Sequence, residues 1–194
     1  MELPPLPQQK SNLVTNMKKS TPLLEVAKCT APSHDQLDVS LTALWDDEEK
    51  DKAAETHKDM TKQLESDNSA LLVYTDSSLI KRGGFPAVGA AVVAYHKGQE
   101  IRHQKLRMRR RAKVYDAEMA ALSMGAKLVL SICSQKPQIT HIYYFADNTS
   151  AAQSIFSMRV QPGQFYAKNF YNDMVEFIDR HNVNQVTITW CPGH

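Results

Sequence analysis

Three acidic residues stand where a carboxylate is costly to keep. Asp76 follows Leu71-Leu72-Val73-Tyr74-Thr75, an unbroken run of apolar or β-prone residues. Glu118 lies on an apolar stripe of helical period, with Tyr115 at i−3 and Leu122 at i+4. Asp147 comes after a second apolar run, Ile139 to Phe145, and Ala146. Each has an ordinary reading when taken alone. Asp76 could be a turn or cap residue, Asp147 a helix N-cap, and Glu118 an edge residue reaching water. Taken together they demand more, because a buried carboxylate needs a partner, a metal or a proton.

The elements that position these groups follow from periodicity. Leu71 to Thr75 reads as a short strand buried on both faces, since a half-buried strand would alternate with polar residues. Val88 to Tyr95 and Glu100 to Met108 read as two more strands, joined by a hairpin turn at His96-Lys97-Gly98-Gln99. Residues 114–131 have helical period, with Tyr115, Met119, Leu122, Ala126 and Val129 on one stripe. Ile139 to Phe145 is a fourth strand. Short and long helices follow, at about 149–158 and 165–181, the latter with Phe170, Met174, Phe177 and Ile178 inward. Asn184 to Trp190 is the fifth strand. The order β-β-β-α-β-α-α-β implies a mixed five-stranded sheet, three strands antiparallel and two parallel, with helices on both faces. In such α/β sheets sites form beyond the carboxyl ends of the strands, where Asp147 falls.

Composition sets the bounds. A chain of 194 residues allows one domain and an extension. Residues 1–70 hold 8 Lys/Arg and 13 Asp/Glu, whereas residues 71–194 hold 15 and 8. The chain therefore divides into an acidic leader, 1–70, and a basic domain, 71–194, suited to a polyanion. The leader is rich in Pro, Ser, Thr and Gln up to residue 44, and is expected to be dispensable to the core. Residues 45–66 could form a charged helix whose thin apolar stripe suggests a solvated one. Cys29, Cys133 and Cys191 are far apart and odd in number, which fits reduced thiols in an intracellular protein. The N-terminus is no signal peptide, and no apolar run approaches the ~18 residues of a membrane span.

Four segments in order, YTDSS from Tyr74, AEMAAL from Ala117, FADNTSA from Phe145 and WCPGH from Trp190, resemble a type 1 ribonuclease H domain. The nearest flavour is the C-terminal domain of retrotransposon reverse transcriptases, of fungal type. The resemblance covers residues 71–194 and implies the ribonuclease H-like fold. It implies cleavage of the RNA strand of an RNA–DNA hybrid, using two Mg²⁺ or Mn²⁺ ions held by Asp76, Glu118 and Asp147. It gives His194 a part in proton transfer or product release, and it makes a covalently linked polymerase domain an expected partner. The chemistry suits these residue types. Hard Mg²⁺ prefers oxygen ligands. Two ions roughly 4 Å apart can activate the attacking water and stabilise the leaving oxygen.

The chain departs from the family in three places. Ser77 stands where the family usually has glycine. The connector 160–164 is too short for the basic protrusion of some members. The chain stops at His194, before the family's fourth carboxylate and last helix, so a fragment of a longer reading frame is expected.

A basic cluster completes the reading. Arg102, Lys105, Arg107, Arg109, Arg110, Arg111 and Lys113 crowd the third strand and the loop before the Glu118 helix. Either they form a solvated surface or they contact phosphates, releasing counterions without regard to sequence. Hybrid recognition would add contacts to 2′-hydroxyls and duplex shape. Ser78 and Asn148, beside two of the carboxylates, join Arg107 and Arg109 to Arg111 as the expected nucleic-acid-binding residues. The non-enzymatic alternative is a degenerate hybrid-binding or scaffolding remnant. Other nucleases of the same fold rank lower. A DxE exonuclease would need Glu at position 78, and an integrase order of Asp, Asp, Glu does not match Asp76, Glu118, Asp147.

Overall fold

The computed structural model describes residues 37–40, 47–82, 85–108, 112–155 and 162–191. The elements are β1 (Leu37–Ser40), α1 (Asp47–Leu64), β2 (Ala70–Arg82), β3 (Phe85–His96), β4 (Gln99–Arg107), α2 (Val114–Gln135), β5 (His141–Ala146), α3 (Thr149–Ser154), α4 (Gln164–Arg180) and β6 (Gln185–Trp190). All five expected strands are present. Together with β1 they form one six-stranded sheet in the order β1-β6-β5-β2-β3-β4. β2, β3 and β4 run antiparallel, while β5 and β6 run parallel to β2.

Two features of the leader were not expected. β1 adds a sixth strand, pairing in parallel with β6 from Leu37↔Val186 to Ser40↔Thr189. The helix α1 is not merely solvated either. Met60 and Leu64 pack against Ala70, Leu72 and Phe145. The His57 ring meets Phe145 edge-on at 4.7 Å, and its Nε2 lies 3.4 Å from the Tyr74 hydroxyl. A thin stripe suffices here because the sheet presents large aromatic rings at that point.

The main core fills the other face. There α2 and α4 lie on Leu71, Val73, Val92, Ile142, Tyr144 and Ile188. The predicted stripe of α2 is borne out at Met119, Leu122, Ala126 and Val129, and that of α4 at Phe170, Met174, Phe177 and Ile178, all buried. α2 is long and apolar enough to cross a membrane, contrary to the reading that no such run exists, but 72% of that stretch is buried inside the fold. It is a core helix. Gly125 sets its distance from the sheet, since a Cβ there would lie 3.0 Å from Tyr144 Cε1. The β3–β4 hairpin turns through Lys97 (φ 55) and Gly98 (φ 71), the pair of left-handed residues that a two-residue turn with matching twist requires.

β2 runs further than the sequence suggested. It continues past Thr75 to Arg82, because β3 offers a partner all the way to Phe85. Asp76 therefore lies within a strand rather than at its end. The side of β2 facing β5 stops earlier, at Thr75↔Ala146. One flank of Asp76 is thus paired and the other is open.

Candidate metal centre and nucleic-acid interface

Asp76, Glu118 and Asp147 converge. Each offers a carboxylate oxygen, and these oxygens all lie within 4.8 Å of one another. Three elements deliver them. β2 carries Asp76 on the face away from α2. α2 brings Glu118 over the end of the sheet, two turns before Gly125. β5 releases Asp147 one residue after its last pair, Thr75↔Ala146. The end of β6 then fixes the Asp147 backbone: Trp190 Nε1 donates to its carbonyl at 2.9 Å, and the Cys191 amide donates to the Ala146 carbonyl at 3.0 Å.

The three groups differ in environment. Asp76 is exposed. Glu118 is only 5% exposed, and Ser77 Oγ donates to its Oε1 at 2.5 Å. Burial raises the Glu118 carboxyl to about 7; the Ser77 bond opposes this, and the charges of Asp147 and Asp76 add to it. The arrangement fits a hard divalent ion. With Mg–O distances of about 2.1 Å, opposite ligands on one ion stand about 4.2 Å apart. Small side-chain movements, or two neighbouring ions, would meet that spacing.

Sequence reasoning missed Cys191. Burial pushes its thiol up to about 12, and the nearby charges of Asp147 and Asp76 push in the same direction. As a neutral thiol it adds no charge to the cluster. The half-apolar context of WC at the end of β6 gave no sign of this proximity.

The N-cap of α3 is Asn148 and not Asp147: Asn148 Oδ1 accepts from the Ala151 amide at 2.9 Å. Capping engages one end of the Asn148 amide in holding the helix, and the Asp147 carboxylate belongs to the cluster.

Ser78 and Arg107 fall on one row of the sheet. Ser78 pairs with Gly89, and Gly89 pairs with Arg107. The row beside it is Asp76, Ala91 and Lys105. A groove of about 680 Å³ runs along these rows, lined by Asp76, Ser78, Gly89, Ala91, Lys105 and Arg107 among others. Its floor is low because Gly89 and Ala91 carry little or no side chain. Arg102 does not belong to it. Its guanidinium turns to α2, donating to Ser131 Oγ at 2.8 Å. Lys113 precedes α2, and its amide donates to Asp116 Oδ2 at 3.0 Å. Arg109, Arg110, Arg111 and His194 lie outside the described residues.

No family model and no curated protein matches the chain. Solved structures do. The N-terminal RNase H domain of rv2228c from Mycobacterium tuberculosis, solved as a fusion with maltose-binding protein, superposes with a TM-score of 0.50 at 15% identity, covering 64% of this chain and 88% of that one. LC11-RNase H1, isolated from compost by a metagenomic approach, gives 0.47 at 14% identity, covering 64% and 85%. RNase H1 of the halophilic archaeon Halobacterium salinarum NRC-1 gives 0.40 at 15%, covering 63% and 86%. The fold is ribonuclease H-like. At such identity the likeness defines the fold and leaves function to the chemistry of the site.

Proposed function

We propose that this chain is a metal-dependent ribonuclease that hydrolyses the RNA strand of an RNA–DNA hybrid, as one part of a longer reverse transcriptase polyprotein with a linked polymerase domain. The observation that carries the reading is the meeting of Asp76, Glu118 and Asp147 within 4.8 Å, from three separate elements. A structural role for any one of them would not require the other two to be there.

The residues would divide the work. Asp76, central and exposed, would hold Mg²⁺ or Mn²⁺ from the strand, with Glu118 and Asp147 closing two sides. When bound, a pair of such ions supplies an activated water and charge stabilisation for the leaving 3′ oxygen in an in-line displacement. Lys105 and Arg107 stand along the groove that begins at Asp76, where a polyanion would find compensating charge. Ser78 and Asn148 flank the carboxylates and offer a hydroxyl and an amide for sugar or base contacts. Arg109 to Arg111 keep the phosphate contacts read from their charge, and His194 keeps the part in proton transfer or product release that the resemblance gives it.

The test is cleavage of an end-labelled RNA–DNA hybrid in Mg²⁺ and in Mn²⁺, beside duplex DNA and duplex RNA. Cleavage of the hybrid's RNA strand alone, lost in Asp76→Asn, is the expected result. Hybrid and Mg²⁺ binding without turnover would favour the remnant. Cleavage insensitive to Asp76→Asn would overturn the assignment of the site.

A further inference from the structure

Glu118 reaches the cluster from a helix, and three rotatable bonds separate its carboxylate from the backbone. Something must choose one orientation for it. The hydrogen bond that the structure gives this carboxylate comes from Ser77 Oγ, at 2.5 Å to Oε1. At that length it is a short, strong bond between a hydroxyl and a carboxyl group. Ser77 is well placed to make it. It neighbours Asp76 on β2, so its side chain emerges on the opposite face, toward α2. Its strand partner is Ala90, a small buried residue that leaves the hydroxyl room. One dipeptide thus serves the centre from both sides of the sheet, Asp76 directly and Ser77 through Glu118.

We propose that Ser77 is a positioning residue, which holds one oxygen of Glu118 so that the carboxylate meets a divalent cation in a single preset orientation. The role rests on the metal-site reading given above. The glycine usual at this place in the resembled family would have no hydroxyl to give. Partners that orient a ligand in this way typically contribute about 10- to 100-fold to metal affinity.

The experiment is calorimetric titration of the full chain with Mg²⁺ and no nucleic acid, beside thermal unfolding with and without Mg²⁺. Ser77→Ala is expected to weaken Mg²⁺ binding about tenfold and to shrink the Mg²⁺-induced rise in Tm. Ser77→Thr keeps the hydroxyl and is expected to bind nearly as the parent does. Ser77→Gly repeats the Ala result should that variant fold poorly. Equal Mg²⁺ affinity in parent, Ser77→Ala and Ser77→Gly would overturn the positioning role while leaving the metal site intact. An equal loss of Tm with and without Mg²⁺, at unchanged affinity, would make Ser77 merely structural. A parent that takes up no Mg²⁺ would sink the metal-site reading itself, and the role with it.

Discussion

Asp76 and Asp147 are the first residues past the parallel ladder between β2 and β5, whose last pair is Thr75↔Ala146. Two strands that run side by side in parallel therefore end their pairing in two like charges. Glu118 adds a third carboxylate within 4.8 Å. This leads to a prediction with a definite sign. Asp76→Asn removes a repelling charge, so the metal-free protein should gain stability, by about 1 kcal/mol or less for so exposed a group. The same change should abolish most of the stabilisation that Mg²⁺ gives the parent, which at 100 times the Kd would be about 2.7 kcal/mol. Thermal unfolding with and without Mg²⁺ measures both. A variant destabilised without metal and still responsive to Mg²⁺ would show Asp76 to be a structural residue.

Glu118 predicts a pH dependence. Its carboxyl is raised from 4.5 to about 7, chiefly by burial. Between those values the folded protein keeps a proton that the unfolded chain releases. The folded state thus binds more protons, and stability falls as pH rises. The contribution is complete below about 4.5 and is lost as pH climbs through about 7. Glu118→Gln should flatten this stretch of the stability curve, read by urea denaturation at a series of pH values without metal. Saturating Mg²⁺ should flatten it too, because the ion favours the ionised form.

Much of this was legible in the sequence, for physical reasons that can be named. The run Leu71 to Thr75 marked a strand buried on both faces, and the stripe from Met119 to Val129 marked the core helix with Glu118 upon it. What escaped was set by distant partners. Nothing local extends β2 to Arg82; β3 does that by pairing with it. Nothing in Leu37 to Ser40 reads as a strand until β6 offers an edge. The stripe of α1 looked too thin, because what makes His57, Met60 and Leu64 sufficient is Phe145, nearly ninety residues away from His57. Asn148 and Asp147 could not be told apart as the cap, since both residue types perform that task.

Gly125 should bear on the site from a distance. Alanine would gain up to about 1 kcal/mol of helix propensity. Its Cβ would press on Tyr144 Cε1 at 3.0 Å. Tyr144 is fully buried, with its ring edge-on to Phe170 at 5.3 Å, so it has little room to yield. Overpacking of that kind costs about 1–3 kcal/mol, which outweighs the propensity. Gly125→Ala should lower stability by about 1 kcal/mol, and it should weaken Mg²⁺ binding as α2 lifts Glu118 away. Unchanged Mg²⁺ affinity in a destabilised variant would separate the packing of the helix from the geometry of the centre.

The helix α1 covers rings that water would otherwise reach. Leu64 and Met60 are half-buried against Leu72 and Phe145. Truncating either to Ala should cost about 1–2 kcal/mol, below the range for fully buried sites because both are only partly covered. Limited proteolysis should leave residues 47–64 attached to the sheet. Rapid trimming to a core near Leu71, with an unchanged denaturation midpoint, would show the leader dispensable after all.

The last prediction concerns the basic rows of the groove. Lys105 pairs with Ala91 beside Asp76, and Arg107 pairs with Gly89 beside Ser78. Both side chains are exposed, on the edge strand of the sheet, where cations also discourage strand-to-strand association. Solvation alone would explain them if they stood anywhere else. Here they border the groove that Asp76 also lines. If each neutralises one phosphate, the plot of log affinity for an RNA–DNA hybrid against log salt should become shallower by about 2 when both are changed to Ala, at nearly one unit per contact. The loss should be the same for hybrids of different sequence, because phosphate contacts carry no base information. Binding is best measured in Ca²⁺, a hard cation that the carboxylates can hold through oxygen. A slope identical to that of the parent would return Lys105 and Arg107 to the role of edge protection. A change confined to one sequence would point instead to base contacts from this row.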